Sequence, residues 1–250
     1  HIDSHFFAAW EAMIPLAERL SYTEVIASLG AAQIPHAVGG ALALASYTGL
    51  WRDTKDLDFY VLPDDRDSFV AILTDSGWSD YYETRPYDRG WIYRATRGGN
   101  IIDVIFAHAN HSDVVGRDWI ERAWSLDLNE IELPILSPEE LIRAKIYVLQ
   151  RDRCDWMDIF NLLYSVAEKL EWDHVIERLG ESAPLLGAIV LIFAWLAPGP
   201  ASKIPQSAMA RLTTPVPFEH NAQVEKRRAD LLDLRPWFAP QIKLKVSEGA

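Results

Sequence analysis

The chain has a single cysteine, Cys154, among its 250 residues, so no disulfide can form within it. A chain without disulfides is typical of a reducing compartment, and we expect a cytoplasmic protein. Residues 1–10 lack a basic segment followed by an apolar one, so they do not resemble a signal peptide. The longest apolar run, Leu185–Ala197, would span about 20 Å as a helix, against about 30 Å for a bilayer core. We therefore predict that this run is a buried helix and that the chain has no membrane partner.

Positive charge is also scarce, because 24 Lys and Arg face 36 Asp and Glu and leave a net charge of −12. Residues 203–250 carry eight basic and five acidic side chains, so the rest of the chain carries −15. Broad nucleic-acid binding needs basic side chains that neutralise phosphates, which an acidic body disfavours. That body suits a small cationic substrate or a metal-bound nucleotide, while the basic end leaves contact with RNA open.

The first half of the chain has a mixed helix and strand pattern. Short apolar runs bounded by glycine or proline predict strands near residues 34–38, 57–62, 79–84, 91–96 and 101–107. The turn 98–100 should join the last two strands as a hairpin. Apolar residues at helical spacing predict helices near residues 6–29, 41–47 and 65–75.

The second half reads as mostly helical. Ser137 followed by Pro138 predicts a helix start, and helices are expected over about 137–150, 153–169 and 219–232. The proline-rich segment 198–217 is predicted to be a loop-rich connector, and the end after Val246 to be disordered. We therefore predict an α/β (α+β) fold, with a core domain of a small mixed sheet and flanking helices in residues 1–135. A helical C-terminal domain follows in residues 136–250.

A glycine pair followed by two aspartates is the most informative motif. Gly39-Gly40 ends a predicted strand and opens a predicted helix, where backbone N–H groups could hold an anion. Asp56 and Asp58 begin the next strand and point to the same side, because strand side chains alternate. Two neighbouring carboxylates repel each other unless a cation lies between them. The motif therefore indicates a site for a metal bound to a triphosphate.

Asp103 is the third acid, inside the apolar strand 101–107. A buried aspartate without a partner is costly, and a metal would remove that cost. If this strand pairs beside the strand of Asp56 and Asp58, three carboxylates converge as a two-metal phosphoryl-transfer site requires. The alternative is that each acid caps a turn or pairs with an arginine, and that Gly39-Gly40 is a plain tight turn.

The segment 34–61 resembles the signature of polymerase-beta-like nucleotidyltransferases: an apolar strand, Gly-Gly or Gly-Ser, then Arg-x-Thr-x-Asp-hydrophobic-Asp. It is most similar to minimal bacterial groups, namely AbiEii-like toxins and small antibiotic-modifying nucleotidyltransferases. The resemblance implies a nucleotidyltransferase core fold, an NTP as co-substrate and Mg²⁺ (or Mn²⁺) as metal. The site residues that it implies are Gly39 and Gly40 at the phosphates, Asp56, Asp58 and Asp103 as metal ligands with Asp103 as ligand or base, and Arg52 and Thr54 at the loop or the phosphates.

A second block, from Lys145 to Asp158, resembles the Lys…Arg-x-x-Asp-hydrophobic-x-Asp block of AbiEii-like enzymes. That likeness implies that Lys145 contacts the triphosphate and that Asp155 and Asp158 hold it in place. Either Arg151 or Arg153 could be the arginine of the block. Asp155 and Asp158 would share one helix face, and an ordinary solvated helix with ion pairs is the alternative.

The remaining reactive side chains carry weaker signals. His108 and His111 near a strand end are expected to be loop residues rather than metal ligands, because no third ligand accompanies them. Cys154 has no histidine partner in the sequence pattern and is expected to be a buried thiol rather than a nucleophile.

The predicted activity is transfer of a nucleoside monophosphate from an NTP to a hydroxyl of an acceptor, with release of pyrophosphate. The acceptor stays open between a small cationic molecule, tRNA and a protein, and we expect it between the two halves of the chain. A non-catalytic binding module, such as one component of a toxin–antitoxin pair, is the alternative. A metal-dependent glycosyltransferase is a third class, but it normally lacks a Gly-Gly turn just upstream of its Asp-x-Asp pair.

Overall fold

The computed structural model describes residues 10–237, apart from 11, 52, 53, 55, 129, 130, 217–219 and 236. Within these residues the strands are β1 (His36–Val38), β2 (Asp56–Val61), β3 (Ser79–Asp80), β4 (Ile92–Arg97), β5 (Asn100–Ile105), β6 (Trp124–Leu128) and β7 (Ile131–Ile135). The helices are α1 (Leu16–Ala31), α2 (Gly40–Thr48), α3 (Arg66–Asp75), α4 (Arg117–Glu121), α5 (Pro138–Lys145), α6 (Trp156–Val166), α7 (Trp172–Leu179), α8 (Ala183–Leu196), α9 (Pro198–Ala201), α10 (Gln206–Leu212) and α11 (Ala222–Leu232).

The seven strands form one mixed sheet in the order β3-β4-β5-β2-β1-β7-β6. Four neighbouring pairs are antiparallel, whereas β2 with β5 and β1 with β7 are parallel. The predicted mixed α/β fold class is confirmed. The predicted hairpin is also present, with Arg97 paired to Asn100 across the glycine turn.

The two faces of β2 have different surroundings. Leu57, Phe59 and Val61 are buried, and the Phe59 ring contacts Phe69 of α3 at 5.2 Å between ring centres. On the other face, Tyr60 stacks on Trp119 of α4 with ring centres 5.5 Å apart. One face of the central strand β2 therefore packs into the core. Side chains on the other face line a pocket together with residues of α2, α4 and α5.

Several sequence predictions were wrong in detail. The sequence analysis placed no strands at β6 and β7, although Trp124–Leu128 alternates apolar and polar residues; Pro134 in β7 is of a type that weakens a strand pattern. The segment 198–217 was expected to be mainly loop, yet α9 and α10 form there, since proline is tolerated in the first helical turn. The predicted strand 79–84 ends at Asp80, where a 3₁₀ turn begins.

Two helix boundaries near the pocket described below also differ from the sequence prediction. α5 ends at Lys145 rather than near residue 150, and α6 begins at Trp156. Cys154 lies between them, in an isolated bridge with Leu149, and is exposed rather than buried. The short link brings residues 145 and 155 close together. The predicted disordered end lies outside the described residues.

The apolar run predicted as a buried helix forms α8, which is buried along one face only. Ile189, Val190 and Phe193 are buried, whereas Ile192 and Trp195 are 42% and 82% exposed. By length and composition alone, the helical stretch Trp172–Leu196 could cross a membrane, and 33% of its most apolar window is buried. It includes α7, a 3₁₀ turn at Gly180–Ser182 and α8.

Candidate active site

The three predicted acids meet on one face of the sheet. β2 and β5 run parallel, and their register places Asp58 directly beside Asp103. Asp56 lies two residues before Asp58, so its side chain points to the same face. Ligand oxygens of the three carboxylates all lie within 4.8 Å of one another. The structure therefore brings together the residues that sequence spacing could only place on two separate strands.

This carboxylate cluster carries more negative charge than its surroundings favour. Burial, and then the charges of Asp103 and Asp56, raises the pKa of Asp58 to about 7. Burial also raises the pKa of Asp103, although Arg94 opposes the shift. Crowded carboxylates of this kind are stabilised by a cation, and three oxygen donors suit a hard divalent ion such as Mg²⁺. The side chains present therefore fit the metal that the sequence resemblance implies.

Gly39 and Gly40 allow the chain to approach β2 closely. The N–H of Gly39 donates to the backbone oxygen of Asp58 at 2.9 Å. A Cβ added to Gly40 would lie 1.7 Å from Oδ2 of Asp58, and its φ of +56° lies in the left-handed region. Gly40 and Ala41, in the first turn of α2, line the pocket beside the carboxylates. That arrangement is compatible with the predicted phosphate contact, which stays a prediction.

Thr54 supports one carboxylate of the cluster. Its hydroxyl donates to Oδ1 of Asp56 at 2.8 Å. The two roles that the resemblance left open for Thr54, support of the loop and contact with phosphate, stay predictions. Arg52, the other residue of the predicted loop, lies outside the described residues.

Arg94 is a site residue that the sequence analysis missed. Its Nε and Nη2 donate to the two carboxylate oxygens of Asp103 at 2.6 and 2.5 Å. Nη2 also lies 3.9 Å from Oδ2 of Asp56. The sequence held a signal for this pair, because a hairpin closing at Arg97 and Asn100 places residue 94 opposite residue 103.

The opposite wall of the pocket comes from α5 and the link to α6 and carries Lys145 and Arg153; we call it the cationic wall, although Asp155 and Asp158 balance its charge. Lys145 is buried, and its Nζ contacts Oδ2 of Asp158 at 2.7 Å and Oδ2 of Asp155 at 3.2 Å. Arg153 donates from Nε and Nη2 to the two oxygens of Asp155, at 2.9 and 2.8 Å. Although burial favours the neutral acid, Arg153 and Lys145 hold the pKa of Asp155 below its usual value. Asp155 and Asp158 therefore both pair with Lys145, and the contact of Lys145 with a triphosphate that the resemblance implies stays a prediction.

The two walls enclose a pocket of about 190 Å³. Arg153 lines it, whereas Arg151 is not among the described residues that line it, so the structure favours Arg153 as the arginine of the block. A neighbouring cavity of about 340 Å³ shares four lining residues with this pocket, His108, Ala109, Ala144 and Val148. The two cavities therefore adjoin, and the first has three carboxylates on one side and Lys145 and Arg153, both paired with Asp155, on the other.

The two histidines after β5 lie outside the carboxylate cluster. His108 lines the pocket, and its ring contacts Trp119 and Tyr147 at 5.4 and 5.7 Å between ring centres. His111 pairs instead with Asp88 at 2.7 Å. Among the described residues, neither belongs to a group of side chains placed to hold a metal.

His108 should make the stability of the protein depend on pH. Burial, and then the charge of Arg143, lowers the pKa of His108 to about 4 from 6.5. Because the folded state holds the neutral ring, stability is lost as the pH falls from about 6.5 towards 4. We expect His108→Phe to remove roughly 2 kcal/mol of the loss between pH 7 and pH 5. Urea unfolding at both pH values measures this, and equal losses in the two proteins would contradict it.

A second group of potential ligands lies away from the pocket and is already neutralised. Asp118, Glu140 and His174 offer ligand atoms within 4.8 Å of one another. The buried guanidinium of Arg143 pairs with Glu140 and, at 3.2 Å, with Asp118, while Arg178 contacts Asp118 at 2.9 Å. Because arginines supply the positive charge, we assign this group to the packing of α4, α5 and α7.

Several solved structures are similar to this chain at low identity. The antibiotic-resistance factor ANT(2″)-Ia is 16% identical with a TM-score of 0.45, over 73% of this chain and 96% of that chain. The lincomycin-bound lincosamide antibiotic adenylyltransferase LnuA is 16% identical with a TM-score of 0.42, over 60% and 96%. An antigenic nucleotidyltransferase-like protein from Paracoccidioides brasiliensis is 18% identical with a TM-score of 0.46, over 76% and 95%.

No curated protein sequence matches the chain significantly. The profile of a family described as uncharacterised nucleotidyltransferase matches residues 16–197. That range is more than half of the chain and includes both walls of the pocket. The finer likeness to AbiEii-like toxins is not tested by this profile and stays a prediction. Because the profile covers most of the chain, the chain belongs to this family of uncharacterised nucleotidyltransferases.

Proposed function

We propose that the protein transfers a nucleoside monophosphate from a Mg²⁺-bound NTP to a hydroxyl group of an acceptor and releases pyrophosphate. The observation that carries the proposal is the convergence of Asp56, Asp58 and Asp103 opposite Lys145 and Arg153, within one pocket. A metal-bound triphosphate has a cation next to anionic oxygens. In this pocket the three carboxylates could bind the cation, and Lys145 and Arg153 could bind the oxygens. Mg²⁺ would be held by the three carboxylates and would neutralise charge that develops at the α-phosphate.

The residues of the cationic wall would bind the phosphates that leave. Lys145 is fixed by two carboxylates, and Arg153 is fixed by Asp155, so both cations are oriented before the nucleotide arrives. Preoriented charges stabilise a transition state without a further cost of reorganisation. The acceptor oxygen would attack the α-phosphorus in line, opposite the departing pyrophosphate.

Asp103 is proposed as a metal ligand rather than as the base. Both of its oxygens accept hydrogen bonds from Arg94, which fixes the carboxylate in place, and Asp103 lies directly beside Asp58 in the strand register. Of the two roles implied by the family resemblance, the ligand role is therefore the better supported. The first turn of α2 would border the phosphates through Gly40.

The neighbouring cavity is the proposed acceptor site. Its volume of about 340 Å³ lies at the lower end of the range for small-molecule sites. Asp152, Asp230 and Asp233 contribute to its lining together with Arg235, so the wall is net negative. These features favour a small cationic hydroxyl compound over tRNA or a protein as the acceptor.

The test is transfer of label from each α-³²P-labelled NTP with Mg²⁺, to a panel of amino-substituted polyols, to bulk tRNA and to a protein mixture. Asp58→Asn is the matched inactive variant. We expect label transfer and pyrophosphate release by the wild type to at least one acceptor class, and none by the variant. Tight NTP binding with equal background transfer by both proteins would instead indicate a binding module, such as a toxin–antitoxin component.

A further inference from the structure

Arg94 contacts the carboxylate cluster from the neighbouring strand. It lies on β4 directly opposite Asp103 on β5, and its guanidinium binds both oxygens of that carboxylate. The Asp103 side chain is 3% exposed and the Arg94 side chain 32% exposed, so the pair lies at the inner wall of the pocket. Arg94 is therefore the counter-ion of Asp103, which is the most buried of the three acids in the cluster.

The same guanidinium also reaches a second member of the cluster. Nη2 lies 3.9 Å from Oδ2 of Asp56. With Arg94 included, the group of four side chains carries two net negative charges when all three carboxylates are ionised, rather than three. A free divalent cation would thus meet a weaker attraction and a fixed positive charge beside its ligands.

For a metal bound to a triphosphate, the charge of Arg94 acts in the opposite sense. The complex of Mg²⁺ with an NTP is a net anion at neutral pH, so Arg94 attracts it while the carboxylates bind its metal. Lys145 and Arg153 on the facing wall are balanced by Asp155 and Asp158, so Arg94 is the cation whose charge bears directly on the cluster. The sign of the effect of Arg94 thus depends on whether the cation arrives alone or with its nucleotide.

We propose that Arg94 is a specificity-determining residue that makes the site take its metal together with the nucleotide and reject the free cation. This inference rests on the proposed nucleotidyltransferase function. Arg94 changes the affinity of the carboxylate cluster for metal through the positive charge that it holds beside Asp103. It needs no direct contact with the substrate to do so.

The test measures binding of free Mn²⁺ by electron paramagnetic resonance, without nucleotide, and binding of Mn²⁺-NTP by calorimetry. We expect Arg94→Gln to bind free Mn²⁺ at least about tenfold more tightly than the wild type, which corresponds to about 1.4 kcal/mol. The same variant should bind Mn²⁺-NTP at least about tenfold more weakly. If Arg94 had only a structural role, the variant would bind both free Mn²⁺ and Mn²⁺-NTP more weakly. Tighter binding of one with weaker binding of the other therefore identifies the proposed role.

Two further variants separate charge from folding. Arg94→Lys keeps the charge and should bind free Mn²⁺ as weakly as the wild type. Arg97→Gln is the matched control, because Arg97 lies on the same strand but pairs with Glu24 at 2.6 Å instead of the cluster. It should leave both affinities unchanged. If Arg94→Gln is less stable than the wild type, Mn²⁺ should still raise its Tm by more than it raises that of Arg94→Lys, which reports the same competition.

The outcomes distinguish this inference from the function on which it rests. If Mn²⁺-NTP binds the wild type but Arg94→Gln does not gain affinity for free Mn²⁺, the inference about Arg94 is wrong and the proposed function stands. If no protein binds Mn²⁺ with or without NTP, the proposed function itself is wrong.

Discussion

We expect the Asp56→Asn/Asp58→Asn double variant to lose Mg²⁺-dependent NTP binding, with an affinity at least about a hundredfold below that of the wild type. The two aspartates supply two of the three carboxylates that converge in the pocket. An amide is neutral and binds a hard cation through one oxygen only, so the variant retains a single charged ligand. Calorimetry with each NTP, in Mg²⁺ and in EDTA, measures the loss.

Asp64→Asn is the matched control for this experiment. Asp64 is exposed and lies in the turn that follows β2, away from the lining of the described pocket. It should bind NTP as the wild type does. The double variant should stay folded, because removing like charges from a crowded cluster relieves repulsion. Wild-type NTP affinity in a folded double variant would show that the nucleotide binds elsewhere.

The second large effect is expected for Gly40→Ala. An added Cβ would lie 1.7 Å from the carboxylate of Asp58, and φ is +56°. We expect unfolding free energy to fall by about 3 kcal/mol, from left-handed backbone strain together with displacement of that carboxylate. Mg²⁺-dependent NTP binding should be lost as well. Chemical denaturation and calorimetry measure the two effects.

Gly49→Ala separates the clash from the backbone strain. Gly49 caps the other end of α2 with φ +70°, and an added Cβ there meets nothing within 4 Å. This variant should lose only about 1 kcal/mol and keep full NTP affinity. Similar losses of stability and binding in the two variants would mean that the close approach of Gly40 to Asp58 is unimportant.

The acidic half of the site could be predicted from the sequence because strand geometry is strict. Side chains of Asp56 and Asp58 must share a face, and an aspartate inside an apolar strand needs a partner, which singled out Asp103. What the sequence lacked was the order of strands, which is set by packing across the whole sheet. Only the parallel pairing of β2 with β5 turns two separate motifs into one cluster.

The cationic half was harder to predict because it depends on where helices end. The sequence placed Lys145 and Asp155 on two long helices, whereas α5 ends at Lys145 and a turn precedes α6. Local propensity does not set these ends, since tertiary packing overrides it. Arg94, by contrast, was predictable, because counting residues back from the glycine turn places it opposite Asp103.

The parallel ladder between β2 and β5 has a consequence for how the site can move. The acidic wall sits on two strands in the interior of the seven-stranded sheet, so its spacing cannot change unless backbone hydrogen bonds break. Such strands open only with the global free energy of unfolding. The cationic wall comes from a helix end and a short link that is held by one isolated bridge, Leu149 with Cys154, rather than by a ladder of strands. Any widening or narrowing of the pocket during turnover must therefore come from the helical side, with the acidic wall acting as the fixed reference.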